Sequence, residues 1–117
     1  MAKLPIPSAW ELVSCEIDGK TIPAVNEKAF IAMRDGEIGG HTGCNAFGGE
    51  WTGSTSKMDV PGVMSTKMFC NDVADQERLI LDLLNGTVSC ATADGKTLII
   101  SAGQRKLKLT RNDKRLQ

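Results

Sequence analysis

The chain is poor in the residues that carry most protein chemistry. It has one histidine, His41, no tyrosine, three phenylalanines and two tryptophans. It has no CxxC pair and no second Cys/His pair to complete a four-ligand set, so the ligand spacing of a zinc site is missing. His41 lies three residues from Cys44, but no third group stands near to orient the imidazole, as a nucleophile–base arrangement needs. Fourteen basic and fourteen acidic residues cancel, which removes the electrostatic excess that dominates nucleic-acid binding. No run approaches the roughly 20 apolar residues of a membrane-spanning helix. Residues 1–9 carry one lysine and no apolar signal core. That start fits a cytoplasmic chain if the sequence is full length, and an exported or periplasmic one if a native signal has been taken off. Gly39, Gly40, Gly43, Gly48 and Gly49 are followed by no Lys-Ser or Lys-Thr pair and open no helix, so they do not form a phosphate cradle.

What is present describes one domain. The length of 117 residues suits a single core. Basic residues gather late, at Arg105, Lys106, Lys108, Arg111, Lys114 and Arg115, alternating with Leu107 and Leu109. This pattern reads as a solvated edge strand and tail. The four cysteines, Cys15, Cys44, Cys70 and Cys90, are an even set that permits full pairing or buried thiols.

Along the chain, Pro5 and Pro7 predict an extended lead-in over residues 1–9. Residues 10–17 read as a strand, turned by Asp18-Gly19 into a short return strand that Pro23 ends. Residues 29–34 and 37–42 form the next hairpin, turned at Asp35-Gly36. The paired Gly39-Gly40 signals a bulge, a bend or close backbone approach. Residues 43–49 read as a glycine-rich loop, residues 50–53 and 56–60 as short strands, and residues 63–70 as an irregular connector after Pro61-Gly62. A helix is predicted over 73–85, capped by Asn71 or Asp72, with Asp75 and Glu77 in its first turn and Asn85-Gly86 as its stop. Its buried stripe is read as Val73, Glu77, Ile80, Leu81 and Leu84, widened by Leu79 and Leu83. Residues 87–93, 96–101 and 105–111 complete the strands, and residues 112–117 are expected to fray. Short strands joined by Asp-Gly turns imply antiparallel pairing. One helix cannot cover both faces of a wide sheet, so the sheet is expected to curl on itself with the helix closing an end or seam.

Three pieces carry a family resemblance: Gly40-His41-Thr42-Gly43-Cys44-Asn45-Ala46-Phe47-Gly48-Gly49, then Ser65-Thr66-Lys67-Met68-Phe69-Cys70, then the helix with Glu77. Together they resemble the META domain, also called HslJ-like, over residues 10–111. The resemblance implies an α+β, mainly β domain: an antiparallel, open, lipocalin-like β-barrel with one α-helix. Members of that family include heat-inducible bacterial envelope proteins and small kinetoplastid proteins linked to infectivity, without an assigned catalytic activity. The motif residues Gly43, Cys44, Asn45, Phe47, Thr66, Met68 and Cys70 are read as structural. Cys44 and Cys70 are expected to lie close, as a disulfide or as packed thiols, tying the loop to the start of the helix; a redox pair is the sharper alternative. Cys15 and Cys90 read as core residues and stand as a candidate second disulfide. Asn45 is expected to serve backbone geometry by adopting a left-handed conformation or bonding nearby main chain. Met58, Met64, Met68 and Phe69 are core or the lining of an adaptable apolar site. Asp59, Asp72, Asp75 and Glu77 read as caps and solvated charges.

The functional expectation is a non-enzymatic, stress- or virulence-associated module that meets an unidentified protein partner and needs no cofactor. A carrier of a small apolar, lipid-like molecule is the alternative, and a thiol-redox protein using Cys44 and Cys70 ranks third.

Overall fold

The computed structural model describes residues 4–116. Eleven strands and one α-helix follow in the order β1 (Ser8–Ile17), β2 (Lys20–Pro23), β3 (Phe30–Arg34), β4 (Glu37–His41), β5 (Ala46–Glu50), β6 (Thr52–Gly53), β7 (Met58–Val60), β8 (Val63–Ser65), α1 (Ala74–Leu83), β9 (Gly86–Ala91), β10 (Thr97–Ala102) and β11 (Arg105–Arg111). All pairings are antiparallel. The sheet runs β6-β7-β9-β10-β11-β1-β3-β4-β5-β8, with β2 added beside β1.

The two ends of that path belong to one bent hairpin. Only Trp51 separates β5 from β6, and only Pro61-Gly62 separates β7 from β8. One end of the hairpin pairs β5 with β4, and its far end pairs β7 with β9. The sheet therefore curls round to meet itself and stays open at the bend, as an open barrel does. Trp51 pins the bend by donating its indole N–H to the Arg34 and Glu37 carbonyls, at 3.0 and 3.1 Å.

Close coiling needs glycine where backbones cross. A Cβ on Gly40 (φ +151) would sit 2.0 Å from the Phe30 carbonyl oxygen, and one on Gly39 would sit 3.1 Å from that of Phe47. Of the readings open for this pair, close backbone approach is the one realised. The inward faces of the strands then supply one contiguous core, including Trp10, Ile31, Met33, Met58, Val60, Val88, Leu98, Ile100, Leu107 and Leu109. Trp10 is fully buried, and its indole N–H is satisfied by Ser8 Oγ at 2.7 Å.

Several expectations change. The lead-in ends earlier than residue 9: β1 begins at Ser8, and Leu4 is already buried in the core; residues 1–3 lie outside the described residues. β11 is no edge strand, since β10 and β1 flank it. Leu107 and Leu109 point inward while Lys106 and Lys108 are exposed. Residues 46–49 are strand and not loop, because β4 and β8 pair with them on both sides. The connector after Pro61-Gly62 likewise starts as a strand.

The tail is anchored up to Leu116, with Gln117 outside the described residues. Residues Asp113–Leu116 form a 3₁₀ turn. Ala9 N–H donates to Asp113 Oδ1 at 3.2 Å, Asn112 donates to Glu11, and Arg115 pairs with Glu11 at 3.3 Å while lying 5.2 Å from the Phe30 ring centre. The Asn112 hydrogen bond is the main cause that holds the Glu11 carboxyl below its ordinary range.

The proposed Cys15–Cys90 disulfide does not form, and both residues are buried free thiols. Cys15 pairs with Leu107, Leu107 with Ile100 and Ile100 with Cys90. Three ladder steps set the two Cα atoms about 14 Å apart along the sheet, twice the Cα separation a disulfide spans. Burial pushes Cys15 up to about 11 and Cys90 up to about 12, from an ordinary 9.0. A raised thiol favours the protonated, folded form. Its stabilising effect is complete below about pH 9 and is lost as pH rises through 11 to 12.

This packing makes three predictions. Gly40→Ala should lower stability by about 3 kcal/mol or more, whereas Gly95→Ala, with open space around it, should cost about 1 kcal/mol in denaturant unfolding. Thiol titration at pH 8 should detect neither Cys15 nor Cys90 in the native protein and both after denaturation without reductant. The unfolding midpoint should fall steeply above pH 9.

Candidate functional site

The motif residues converge where β4 turns into β5. Thr42 N–H bonds the Asn45 carbonyl at 2.9 Å, closing a tight turn. Gly43 occupies the left-handed position there (φ +104), and a Cβ at that point would lie 2.8 Å from Gln76 Nε2. The left-handed residue is thus Gly43 and not Asn45. Thr42 Oγ1 accepts from the N–H groups of Cys44 and Asn45, at 3.2 and 3.0 Å, and donates to Glu77 Oε2 at 2.6 Å.

Asn45 joins three separate segments. Its Oδ1 accepts from Thr66 Oγ1 and from Met68 N–H, both at 2.8 Å. Its Nδ2 donates to the Met68 carbonyl at 3.0 Å and to Glu77 Oε2 at 2.7 Å. Both lone-pair directions and both N–H groups are used, which is the full capacity of a carboxamide. The residue is 2 % exposed, so each unmade bond would cost about 1–3 kcal/mol. Gln76, also buried, donates to the Thr42 carbonyl at 2.6 Å and accepts from Val25 N–H at 2.9 Å. Among the described residues no buried side-chain nitrogen or oxygen lacks a partner.

Cys44 and Cys70 form a disulfide across 26 residues. In the chain-entropy picture a loop of that length contributes about 3.5 kcal/mol. The bond also removes the Cys44 thiolate that a pairing with His41 would need. His41 instead accepts the Gly43 N–H on Nδ1 at 3.0 Å. The arrangement is a polar clasp that holds the β4–β5 turn, the segment 66–70 and the helix together.

Some sequence-marked residues fall elsewhere. Phe47 is buried in the barrel core, paired with Ser65, outside the clasp. Met58 is fully buried, but Met64, Met68 and Phe69 are 84 %, 61 % and 82 % exposed; they neither fill the core nor line a cavity inside the barrel. Asn71 and Asp72 do not cap the helix. They belong to a 3₁₀ turn, Asn71–Val73, and buried Val73 takes the N-cap position without a side-chain bond. The buried helix positions are Gln76, Leu79, Ile80 and Leu83. Glu77 flanks this stripe and is engaged by Thr42 and Asn45, so it is no solvated charge. Thr42 and Gln76 went unrecognised in the sequence. The available signal for Gln76 was a polar residue three after Val73 and four before Ile80, on an apolar stripe.

A cleft of about 290 Å³ opens where α1 crosses the end of the barrel. Its strand wall holds Cys15, Ile17 and Ile22 with Arg105; its helix wall holds Leu79 and Gln76 with Asp75, Arg78 and Asp82. The volume sits at the lower end of small-molecule sites. Burial keeps the Cys15 thiol, whose pKa is pushed up to about 11, neutral, so it acts as an apolar surface and not as a nucleophile.

Asn45→Asp tests the clasp. It replaces two donors by a carboxylate facing Glu77 and the Met68 carbonyl, and should cost about 3 kcal/mol at pH 7. Glu77 would raise the introduced carboxyl, so stability should return as pH falls and that group takes a proton. A loss that stays constant from pH 4 to pH 8 in thermal melts would contradict the Asn45–Glu77 contact.

A family profile for the META domain matches residues 3–114. No curated protein sequence matches the chain significantly. Two proteins solved by NMR share its architecture. One is 19 % identical with a TM-score of 0.70, over 91 % of this chain and 90 % of that one. The other, from Burkholderia xenovorans, is 16 % identical with a TM-score of 0.71, over 92 % of this chain and 83 % of that one. At such identities the likeness establishes the fold. With the profile spanning nearly its whole length, the chain belongs to the META domain family.

Proposed function

We propose that this META domain is a non-enzymatic interaction module, of the stress- or virulence-associated kind, that meets a protein partner through residues 64–69. The observation that carries this reading is the exposure of Met64, Met68 and Phe69 on a segment that the clasp holds still. Large exposed apolar side chains gathered on one segment mark interaction surfaces, and Met and Phe are enriched in them. Asn45 fixes the Met68 backbone, and the disulfide fixes Cys70 beside Phe69. Little ordering cost then remains to be met on binding. A depression next to Phe69, lined also by Ala74, Leu81 and Arg78, extends the surface onto the helix.

A second reading is favoured by the cleft beneath α1: carriage of a small apolar molecule. Its floor is apolar, and it opens at the end of the barrel, where such ligands bind. A redox role for Cys44 and Cys70 has less support: Cys44 is 3 % exposed, which leaves only half-buried Cys70 open to the attack that exchange requires.

Affinity isolation from the native host, wild type against Met64→Ser/Phe69→Ser, tests the first reading. The double variant should melt within a degree or two of the wild type and lose the partners that the wild type retains. Equal retention by both proteins would overturn the reading, as would a robust turnover abolished by His41→Ala with the fold intact. For the second reading, native mass spectrometry should show an adduct that denaturation removes.

A further inference from the structure

We propose that the cleft between α1 and the strands β2, β1 and β11 binds a small amphiphile with an anionic head. This deepens the carrier reading and rests on it.

The strand register gives the argument. Residues directly opposite one another on paired strands leave the same face of the sheet. Cys15 pairs with Ile22 on one side and with Leu107 on the other. Two residues on, Ile17 pairs with Lys20 on one side and with Arg105 on the other. The side chains at i and i+2 share a face; of the two rows, Ile22, Cys15, Ile17 and Arg105 line the cleft, Leu107 is fully buried in the core, and Lys20 is exposed on the same face beyond the cleft lining. The inner row, Ile22–Cys15–Leu107, is wholly apolar. The outer row, Lys20–Ile17–Arg105, carries a cation on each side of an isoleucine. Ile22 is 39 % exposed although it leaves the inward face, which places accessible apolar surface on the wall of the cleft.

The helix wall matches this division. Leu79 faces the apolar row. Arg78 lies three residues after Asp75 and four before Asp82, on one helix surface, so its charge is offset by its own neighbours. Arg105 makes no salt bridge among the described residues, although Asp18 of the β1–β2 turn lines a neighbouring depression with it. Its guanidinium is the fork that suits a carboxylate. Asp75 and Asp82 repel an anion near the helix, which directs the head toward the strand side of the mouth. The ligand therefore has a short apolar body, lying on Ile22, Cys15 and Leu79, and a carboxylate that meets Arg105.

Calorimetric titration with decanoate, decanol and decylammonium tests this on the whole chain. Decanoate should bind tightest. Arg105→Gln should weaken decanoate about tenfold and leave decanol within twofold. Ile22→Asp, on an exposed strand position, should abolish binding of both; thermal melts confirm that both variants fold. Equal binding of decanoate and decanol, unchanged by Arg105→Gln, would overturn the anionic head while leaving the carrier reading. Tightest binding of decylammonium would assign the head to Asp75 and Asp82 and would also overturn it. Decanoate binding that survives Ile22→Asp would move the site out of this cleft. Binding of none of the probes would count against the carrier reading itself.

Discussion

The carboxamide of Asn45 is the interaction on which the rest of the clasp depends. It is the point where a β-turn, a segment some 20 residues later and the helix beyond it are joined by hydrogen bonds at full capacity. The disulfide holds the same two segments covalently, but a disulfide limits distance more than orientation. The four bonds of Asn45 set direction. They fix the Met68 backbone on both its N–H and its carbonyl, and through Glu77 they set where the helix starts. Helix placement in turn decides which end of the barrel is covered and leaves the cleft over Cys15 and Ile17.

The fold and the functional surfaces are thus linked by a division of labour. Glycines at positions 39 and 40 let β3, β4 and β5 approach closely enough for the sheet to coil. The bend at Trp51 and Pro61-Gly62 brings the two ends of the sheet round to one hairpin. The segment leaving that hairpin has no further strand to join, so it crosses to the helix. With its polar groups engaged inward by Asn45, Met64, Met68 and Phe69 are left outside. Burying polar groups and exposing apolar ones reverses the usual arrangement, and on a rigid segment that reversal is what a binding surface requires.

Much of this was legible in the residues. The Asp-Gly turns, the alternation in β1, β3 and β11, and the single amphipathic helix each follow from local periodicity and turn chemistry. The GCN and TxMxC segments marked the clasp. Other features escaped. Arg105, Lys106, Lys108 and Arg111 resembled the charged face of an edge strand, and nothing in that run says which strands lie on either side. Residues 46–49 looked like a loop, because glycine content weighs against a strand until partners on both flanks supply hydrogen bonds. Thr42 was silent, since a polar residue betrays its burial only through the partner it meets, and Gln76 showed only as a polar residue on an apolar stripe.

Local features follow from the residues themselves: turn positions, strand and helix periods, the positions demanding glycine, and the family motif. These depend on backbone sterics and on side chains a few residues apart. The assembled fold set the long-range pairings. It left Cys15 and Cys90 three ladder steps apart while joining Cys44 to Cys70, drew Glu77 from solvent into the clasp, docked the tail on Glu11, and set two cations on either side of Ile17. The physical reason is that sheet register and barrel closure are settled by the summed burial of the inward faces, a quantity spread over the whole chain that no short stretch of residues contains.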